Sequence, residues 1–342
     1  MKAAVLVKHG DAEEAFELRE IDRKAPGSGE VSVKVEAFGL NFADVMARKG
    51  LYREAPPLPS VLGYDLCGVV DQVGAGVNPE WIGKRVAGMS RFGAYAEYCV
   101  TNINGLTAIA SDLDPISATS LGTQCCTAYH AAFQATNIYP GERVLIHAAA
   151  GGVGSILVQL ALNHGCEVFA TAGSEEKLEK LRKMGVHHAV NYKSHDYESA
   201  LLQILKGERI DAIFNAIAGS TFKKDQRLLG AGGRNIIYGA AERTGMKGGK
   251  FATLRMINRM GLLIPILRMA KSQSLVGVNM LKMGDYKPER IASALAACAQ
   301  LMESGVISKQ EDGLLFGIKD LAKAHRMLEE RKTTGKIAIR WD

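Results

Sequence analysis

The chain has 342 residues, 47% of them hydrophobic and 23% charged, and carries a formal net charge of +6. That length suits about two globular domains with substantial cores, and the composition excludes a low-complexity or fibrous chain. The apolar run Leu262–Leu267 is interrupted by Pro265 and flanked by Arg259 and Arg268, far short of the roughly 18–20 apolar residues that span a bilayer.

In chain order, the opening MKAAVLVKHG is too short an apolar run for a signal peptide and reads as a first strand. Met1–Lys8, Glu30–Phe38 and Gly68–Val73 are short apolar or alternating runs, separated by Pro26-Gly27 and Gly74-Ala75-Gly76. Arg85–Val100, interrupted at Gly88 and Gly93, predicts two more strands, and Ala43–Lys49 a short helix. Many short strands with few helices predict a partly closed barrel or roll.

Near residue 115 the pattern changes. Pro115–Leu121 and Thr127–Thr136 read as helices. Strands are then predicted at Arg143–Ala148, Glu167–Ala172, His188–Tyr192, Ile210–Ala216, Arg234–Tyr238 and Leu275–Leu281. They alternate with helices at Gly152–His164, Glu175–Met184, Tyr197–Lys206 and Phe222–Leu229. Such alternation predicts an α/β doubly wound parallel sheet. After Gly284 a helix (Pro288–Glu303), a strand near Leu314–Phe316, a helix (Lys319–Glu330) and a strand (Lys336–Arg340) do not extend the repeat. The expected organisation is a catalytic domain of residues 1–122 and 284–342 and a nucleotide domain of residues 123–283, with a cleft between them.

Cys67, Cys99, Cys125, Cys126, Cys166 and Cys298 form no C-x-x-C pair. They read as reduced thiols of a cytoplasmic protein. Between Ser220 and Lys271 eleven Lys or Arg residues face only Asp225 and Glu242. This basic excess suits an anionic cofactor or an anionic surface, or is a solvated face. No nucleic-acid module accompanies it, so no nucleic-acid partner is expected.

The most informative stretch is Arg143–His164, RVLIHAAAGGVGSILVQLALNH. A β-branched strand runs into Ala149, Ala150, Gly151, Gly152, Val153 and Gly154, and then into a helix with apolar Ile156, Leu157, Leu160 and Ala161. Glycines let backbone approach a ligand closely, and the new helix aims free N–H groups at an anion. The match to G-x-G-x-x-G is incomplete, with Ala149 in the first glycine position. The second strand ends Thr171-Ala172-Gly173-Ser174, with no acid to hold the ribose hydroxyls of NAD. Ser174 and Lys177 can instead meet a 2′-phosphate, and Tyr192 can close over the adenine-ribose end, which favours NADPH. The competing reading makes Ser174 a helix cap and Lys177 a solvated residue.

Taken together, Gly39-Leu40-Asn41-Phe42-Ala43-Asp44, Gly50-Leu51-Tyr52, Gly63-Tyr64-Asp65, Gly68-Val69-Val70, the Ala148–Gly154 turn and Thr334-Gly335-Lys336 resemble the medium-chain dehydrogenase/reductases. Specifically they resemble the zinc-independent quinone oxidoreductase family, and the string NFADVMARKGLY resembles its vesicle-amine-transport-protein-like branch. The resemblance covers essentially the whole chain, and Ala149 matches that family's Ala-Ala-Gly-Gly-Val-Gly form. It implies a Rossmann domain inserted in a mostly-β GroES-like catalytic domain, NADPH as cofactor, hydride delivery to a quinone or α,β-unsaturated carbonyl, and a homodimer in which Leu275–Leu281 pairs as an edge strand.

The resemblance also places Thr127 and Gly239 beside the nicotinamide and Asn41 and Tyr52 in the substrate pocket. Asn41 as a helix cap and Tyr52 as packing are the plainer alternatives. Where alcohol-dehydrogenase relatives hold a catalytic zinc with Cys, His and Cys, this chain has Asn41 or its neighbour, Tyr64 and Thr123. None is a soft ligand, the four-cysteine lobe expected after Gly93 is absent, and no metal is expected. Met46 stands where relatives carry a tyrosine, which bears on quinone turnover. Phe251–Lys271, apolar, Met-rich and basic, reads as a lid or dimer contact, with a membrane-surface helix as the less favoured reading. Two rival functions stay open: an NADPH-binding protein with little catalysis that acts at membranes or with protein partners, and an enoyl-thioester reductase.

Overall fold

The computed structural model describes residues 1–245 and 249–341. It divides into two compact units: Met1–Cys126 with Met280–Asp342, and Thr127–Asn279. Lys247 of the basic segment lies outside the described residues.

Sixteen strands are described. In chain order they are β1 (Lys2–Leu6), β2 (Phe16–Glu20), β3 (Glu30–Leu40), β4 (Ser60–Val61), β5 (Asp65–Val73), β6 (Arg85–Met89), β7 (Tyr98–Asn102), β8 (Leu106–Ala108), β9 (Arg143–Ile146), β10 (Glu167–Ala172), β11 (His188–Asn191), β12 (Ile210–Asn215), β13 (Leu229–Ile237), β14 (Ser274–Gly277), β15 (Leu314–Gly317) and β16 (Ile337–Arg340).

The first unit is built on two sheets, one ordered β2-β1-β4 and a larger one ordered β15-β16-β3-β5-β6-β8, with β7 also paired to β3. The long β3 carries the alternation that buries Val31, Val33, Val35 and Phe38. Its register against β5 shifts twice, between Ser32 and Val33 and between Val35 and Ala37, the kind of irregularity that bends a sheet into a roll. β16 pairs antiparallel with β3, Ile337 opposite Leu40, so the end of the chain completes the sheet begun near its start. The core of this unit gathers Leu6, Phe38, Leu62, Leu66, Tyr95 and Ile339.

The second unit holds six parallel strands in the order β11-β10-β9-β12-β13-β14. The order reverses at β9, where doubly wound sheets bind ligands beyond the carboxyl ends of their strands. Its strands bury both faces, as in Val144, Leu145, Ile146, Phe169 and Phe214, which is why they read as continuous apolar runs. The strand expected at Leu275–Leu281 is corrected: β14 is Ser274–Gly277, and Met280–Tyr286 is helical. A run this short satisfies both periods, and pairing with β13 claims only its first half. Phe251–Lys271 forms two helices, Gly249–Met260 and Pro265–Ala270. Pro265 opens the second of them, where its missing N–H costs nothing. Ala252 and Met256 are buried, one turn apart, while Phe251, Leu254, Leu262 and Met269 are exposed.

Candidate active site

The glycine turn sits where β9 ends. His147 N–H still bonds Phe214 O and Ala149 N–H bonds Thr171 O, so the backbone stays in the sheet on both sides of Ala148. Ala148 takes φ +51, a left-handed conformation that turns the chain toward the helix Gly152–Asn163. Gly151 is its N-cap and no side chain caps it, which leaves the first N–H groups of the helix to a ligand. A Cβ on Gly154 would lie 2.4 Å from Ala148 O, so that position is closed to any side chain. Ala150 is buried and Gly152 and Val153 are half-buried in the same turn.

Beyond β10, Gly173 is covered by Tyr192: a Cβ there would meet the Tyr192 hydroxyl at 2.6 Å. Ser174 caps the next helix, its Oγ accepting from Lys177 N–H at 3.4 Å, and Lys177 is half-buried one turn on. Ser174, Lys177 and Tyr192 are thus brought to the ends of neighbouring strands, although the cap role and a ligand role are both open to Ser174. Thr127 is buried in the helical segment that opens the unit. Gly239 follows β13, where a Cβ would meet Ala216 O at 2.7 Å. An uncapped helix end and positions closed to a Cβ fit a dinucleotide pyrophosphate.

Sequence reasoning missed the network beneath this turn. Asp225, fully buried, accepts from His147 Nε2 (2.9 Å), Tyr197 O–H (2.9 Å) and Asn215 Nδ2 (2.6 Å). His147 Nδ1 lies 3.0 Å from Thr171 Oγ1, and Asn215 Oδ1 accepts the N–H groups of Ile217 and Ala218. One carboxylate therefore ties together the carboxyl ends of β9, β10 and β12. The signal lay in the sequence as one of only two acids in the basic stretch.

In the first unit, the motif fragments Gly39–Asn41, Gly63–Asp65 and Thr334–Lys336 meet at one buried ion pair, Asp65 with Lys336, neither side chain exposed. A Cβ on Gly39 would overlap the Lys336 side chain, and one on Gly122 would lie 2.5 Å from Asp65 Oδ1. Gly122 departs from helical backbone, with ψ −107, inside an otherwise helical Pro115–Gln134 stretch. That kink aims Thr123 N–H and O–H at Asp65 Oδ1, each at 2.6 Å. Asn41 is buried here too. Its Nδ2 donates to Asp65 Oδ2 (2.7 Å) and lies 3.4 Å from Thr123 Oγ1, while its Oδ1 accepts from Lys336 Nζ at 3.2 Å. Its backbone N–H bonds Asp44 Oδ2 at 2.8 Å, opening the helix Phe42–Arg48.

The remaining wall is aromatic. Tyr52 stands edge-on to Tyr64 with ring centroids 6.5 Å apart, and Tyr64 leans on Phe92 at 4.8 Å. Burial raises the Tyr52 phenol above its ordinary pKa and the Tyr64 phenol much further. Met46 is half-buried on the helix Phe42–Arg48.

Two family models match the chain: an alcohol dehydrogenase GroES-like domain over residues 27–111 and a zinc-binding dehydrogenase over residues 152–295. The human synaptic vesicle membrane protein VAT-1 homolog is 32% identical over 317 residues, covering 92% of this chain and 80% of that protein. The chain belongs to the medium-chain dehydrogenase/reductase superfamily. A 2-haloacrylate reductase from Burkholderia sp is 29% identical over 98% of both chains. The structure of Escherichia coli quinone oxidoreductase complexed with NADPH superposes with a TM-score of 0.84 at 26% identity, over 99% of this chain and 100% of that one. Some relatives are much larger: the chain spans 15% of the length of a mycocerosic acid synthase-like polyketide synthase from Mycobacterium tuberculosis, at 28% identity.

For this superfamily member the zinc question turns on donor chemistry. The positions that the resemblance sets against zinc ligands hold Asn41 or its neighbour, the Tyr64 phenol and the Thr123 hydroxyl, and an ammonium group already pairs with the adjacent Asp65 carboxylate. These residues do not fit Zn²⁺. Among the described residues no group of three or more His, Cys, Asp or Glu is placed to hold a metal ion, and no helix is long and apolar enough to cross a membrane.

Proposed function

We propose that this protein is an NADPH-dependent, zinc-independent reductase that delivers hydride to a quinone or an α,β-unsaturated carbonyl. The carrying observation is the uncapped helix N-terminus at the end of β9, with Ser174, Lys177 and Tyr192 gathered at the ends of β10 and β11. The turn holds the pyrophosphate by backbone N–H groups. Ser174 and Lys177 meet the 2′-phosphate, Tyr192 covers the adenine-ribose end, and Thr127 and Gly239 flank the nicotinamide. The bound cofactor supplies the hydride, and the protein's task is to bind, orient and stabilise. Tyr52 lines the substrate pocket, and Asn41 fixes the wall behind it.

Relatives whose names record quinone oxidoreductase or 2-haloacrylate reductase activity support acceptors with electron-poor double bonds. A second reading, reduction of enoyl thioesters, is favoured by the match to polyketide synthases over 95% of this chain. NADPH consumption across quinones, enals, enones and an enoyl thioester tests both. Turnover of quinones or enones supports the first reading, and turnover of the thioester alone supports the second. Tight NADPH binding with no turnover would replace both with a nucleotide-binding role at membranes or with protein partners. The protein pairs as a homodimer through β14, which ends its sheet and bonds only β13 on its inner side. Sedimentation velocity at twice 36.8 kDa supports that pairing, and a monomer contradicts it.

A further inference from the structure

We infer that the Tyr64 phenol is the hydrogen-bond donor that meets the substrate's carbonyl oxygen, an assignment that rests on the reductase reading above. Asn41 is engaged at both ends of its amide: Nδ2 donates to Asp65 and lies 3.4 Å from Thr123 Oγ1, and Oδ1 accepts from Lys336. Thr123 O–H is committed to Asp65. Tyr95 O–H lies against His325 Nε2 at 3.2 Å. Tyr64 differs from all three. It is only 4% exposed, yet its hydroxyl makes no hydrogen bond of normal geometry among the described residues, the Tyr52 phenol being the side chain it interacts with.

A buried hydroxyl left unpaired is costly, and proteins retain such groups where a ligand completes them. The backbone around Tyr64 is fixed to keep it there. Its carbonyl accepts from Ser90 N–H at 2.7 Å and lies 3.2 Å from Ser90 Oγ. Gly63 before it holds φ +93 against the Tyr95 ring, and Asp65 after it is pinned by the Lys336 pair. Tyr52 and Phe92, partly exposed, form the approach.

The chemistry needs a donor of this kind. When the β carbon of an enone accepts hydride, the C=C pair shifts and negative charge gathers on the carbonyl oxygen. Tyr64 O–H donates to that oxygen while the enolate exists. The α carbon then takes a proton from water, leaving a saturated carbonyl and a cofactor oxidised by two electrons. Burial keeps the phenol protonated, so it acts as a fixed donor and not as the proton source.

The test is Tyr64→Phe in the full-length protein. Turnover of an enone is expected to fall about a hundredfold or more, the usual loss for one oxyanion donor. The NADPH dissociation constant, read by fluorescence, should be unchanged, and the melting temperature should hold because the removed hydroxyl made no hydrogen bond of normal geometry. Tyr64→His, which restores a donor, should recover part of the rate. Turnover by Tyr64→Phe equal to wild type overturns the assignment and leaves the reductase reading intact. So does a fall in melting temperature that accompanies the lost rate, which would mark a structural hydroxyl. A wild-type protein that turns over no enone or quinone overturns the reductase reading itself.

Discussion

Lys336 shows how much one residue can organise. It is fully buried, its ammonium paired with Asp65 and hydrogen-bonded to Asn41. Removing one member of a buried pair strands the other charge, so Lys336→Met should cost about 3–5 kcal/mol of stability. Urea unfolding measures this, and a loss within error of zero would show that Asp65 finds another partner. The sequence contains every part of this arrangement but hides its assembly. Asp65 and Lys336 are separated by 271 positions, and no local pattern links them. Asn41 was legible as a pocket or capping residue, whereas the loss of its amide to Lys336 is a tertiary fact. Tyr64 was visible as a motif residue and a failed zinc ligand, and its poorly satisfied hydroxyl appears only once the surrounding aromatic wall is built.

At the level of elements, a buried polar axis runs between the helices Phe42–Arg48 and Leu321–Glu329. Asp44 is driven up to about 7 from 3.8, chiefly by burial, with Asp65 adding to the rise and the Asn41 N–H and Lys336 opposing it. His325 is driven down to about 3 from 6.5, by burial and then by Arg48. Arg48 is itself paired with Glu329. The signs oppose. The folded protein holds the Asp44 proton more tightly than the unfolded chain, so this group's contribution is lost as pH rises from about 4 to 7. It holds the His325 proton more weakly, so that contribution is lost as pH falls from 6.5 towards 3. The two nearly offset, and wild-type stability should change little with pH between about 4 and 6.5 on their account. Asp44→Asn should unmask His325, giving a melting temperature that falls on acidification through that window. A profile identical to wild type would contradict the assignment. In the second unit, Asp225→Ala removes the acceptor shared by three buried donors, leaving His147 Nε2 without one while Asn215 and Tyr197 keep Thr221, and should cost about 1–3 kcal/mol. The same change should weaken NADPH binding, since the carboxylate ties down the turn after β9. The helices and the parallel strands were legible because burial on both faces writes continuous apolar runs. β14 was not, because LVGVNML satisfies strand and helix periods alike and only pairing with β13 decides where it stops.

For the whole molecule, the family and the parallel sheet were legible in motifs and alternation, whereas the strand order came from pairing and cofactor specificity is proposed to rest on a few side chains at strand ends. The exposed apolar residues of Phe251–Lys271 lie on two helices and the link between them, and the buried apolar anchors Ala252 and Met256 belong to the first helix alone. Deleting residues 251–271 should leave the melting transition of the first unit in place, as calorimetry would show. The proposed preference for NADPH rests on Lys177 and Ser174 after β10. Its most direct measurement is a fluorescence titration of wild type and Lys177→Ala with NADPH and with NADH. Tight NADPH binding is expected of wild type and a loss of about tenfold or more of Lys177→Ala, equivalent to about 1.4 kcal/mol, with NADH affinity little changed. Equal losses for both cofactors, or no preference for NADPH in wild type, would contradict it.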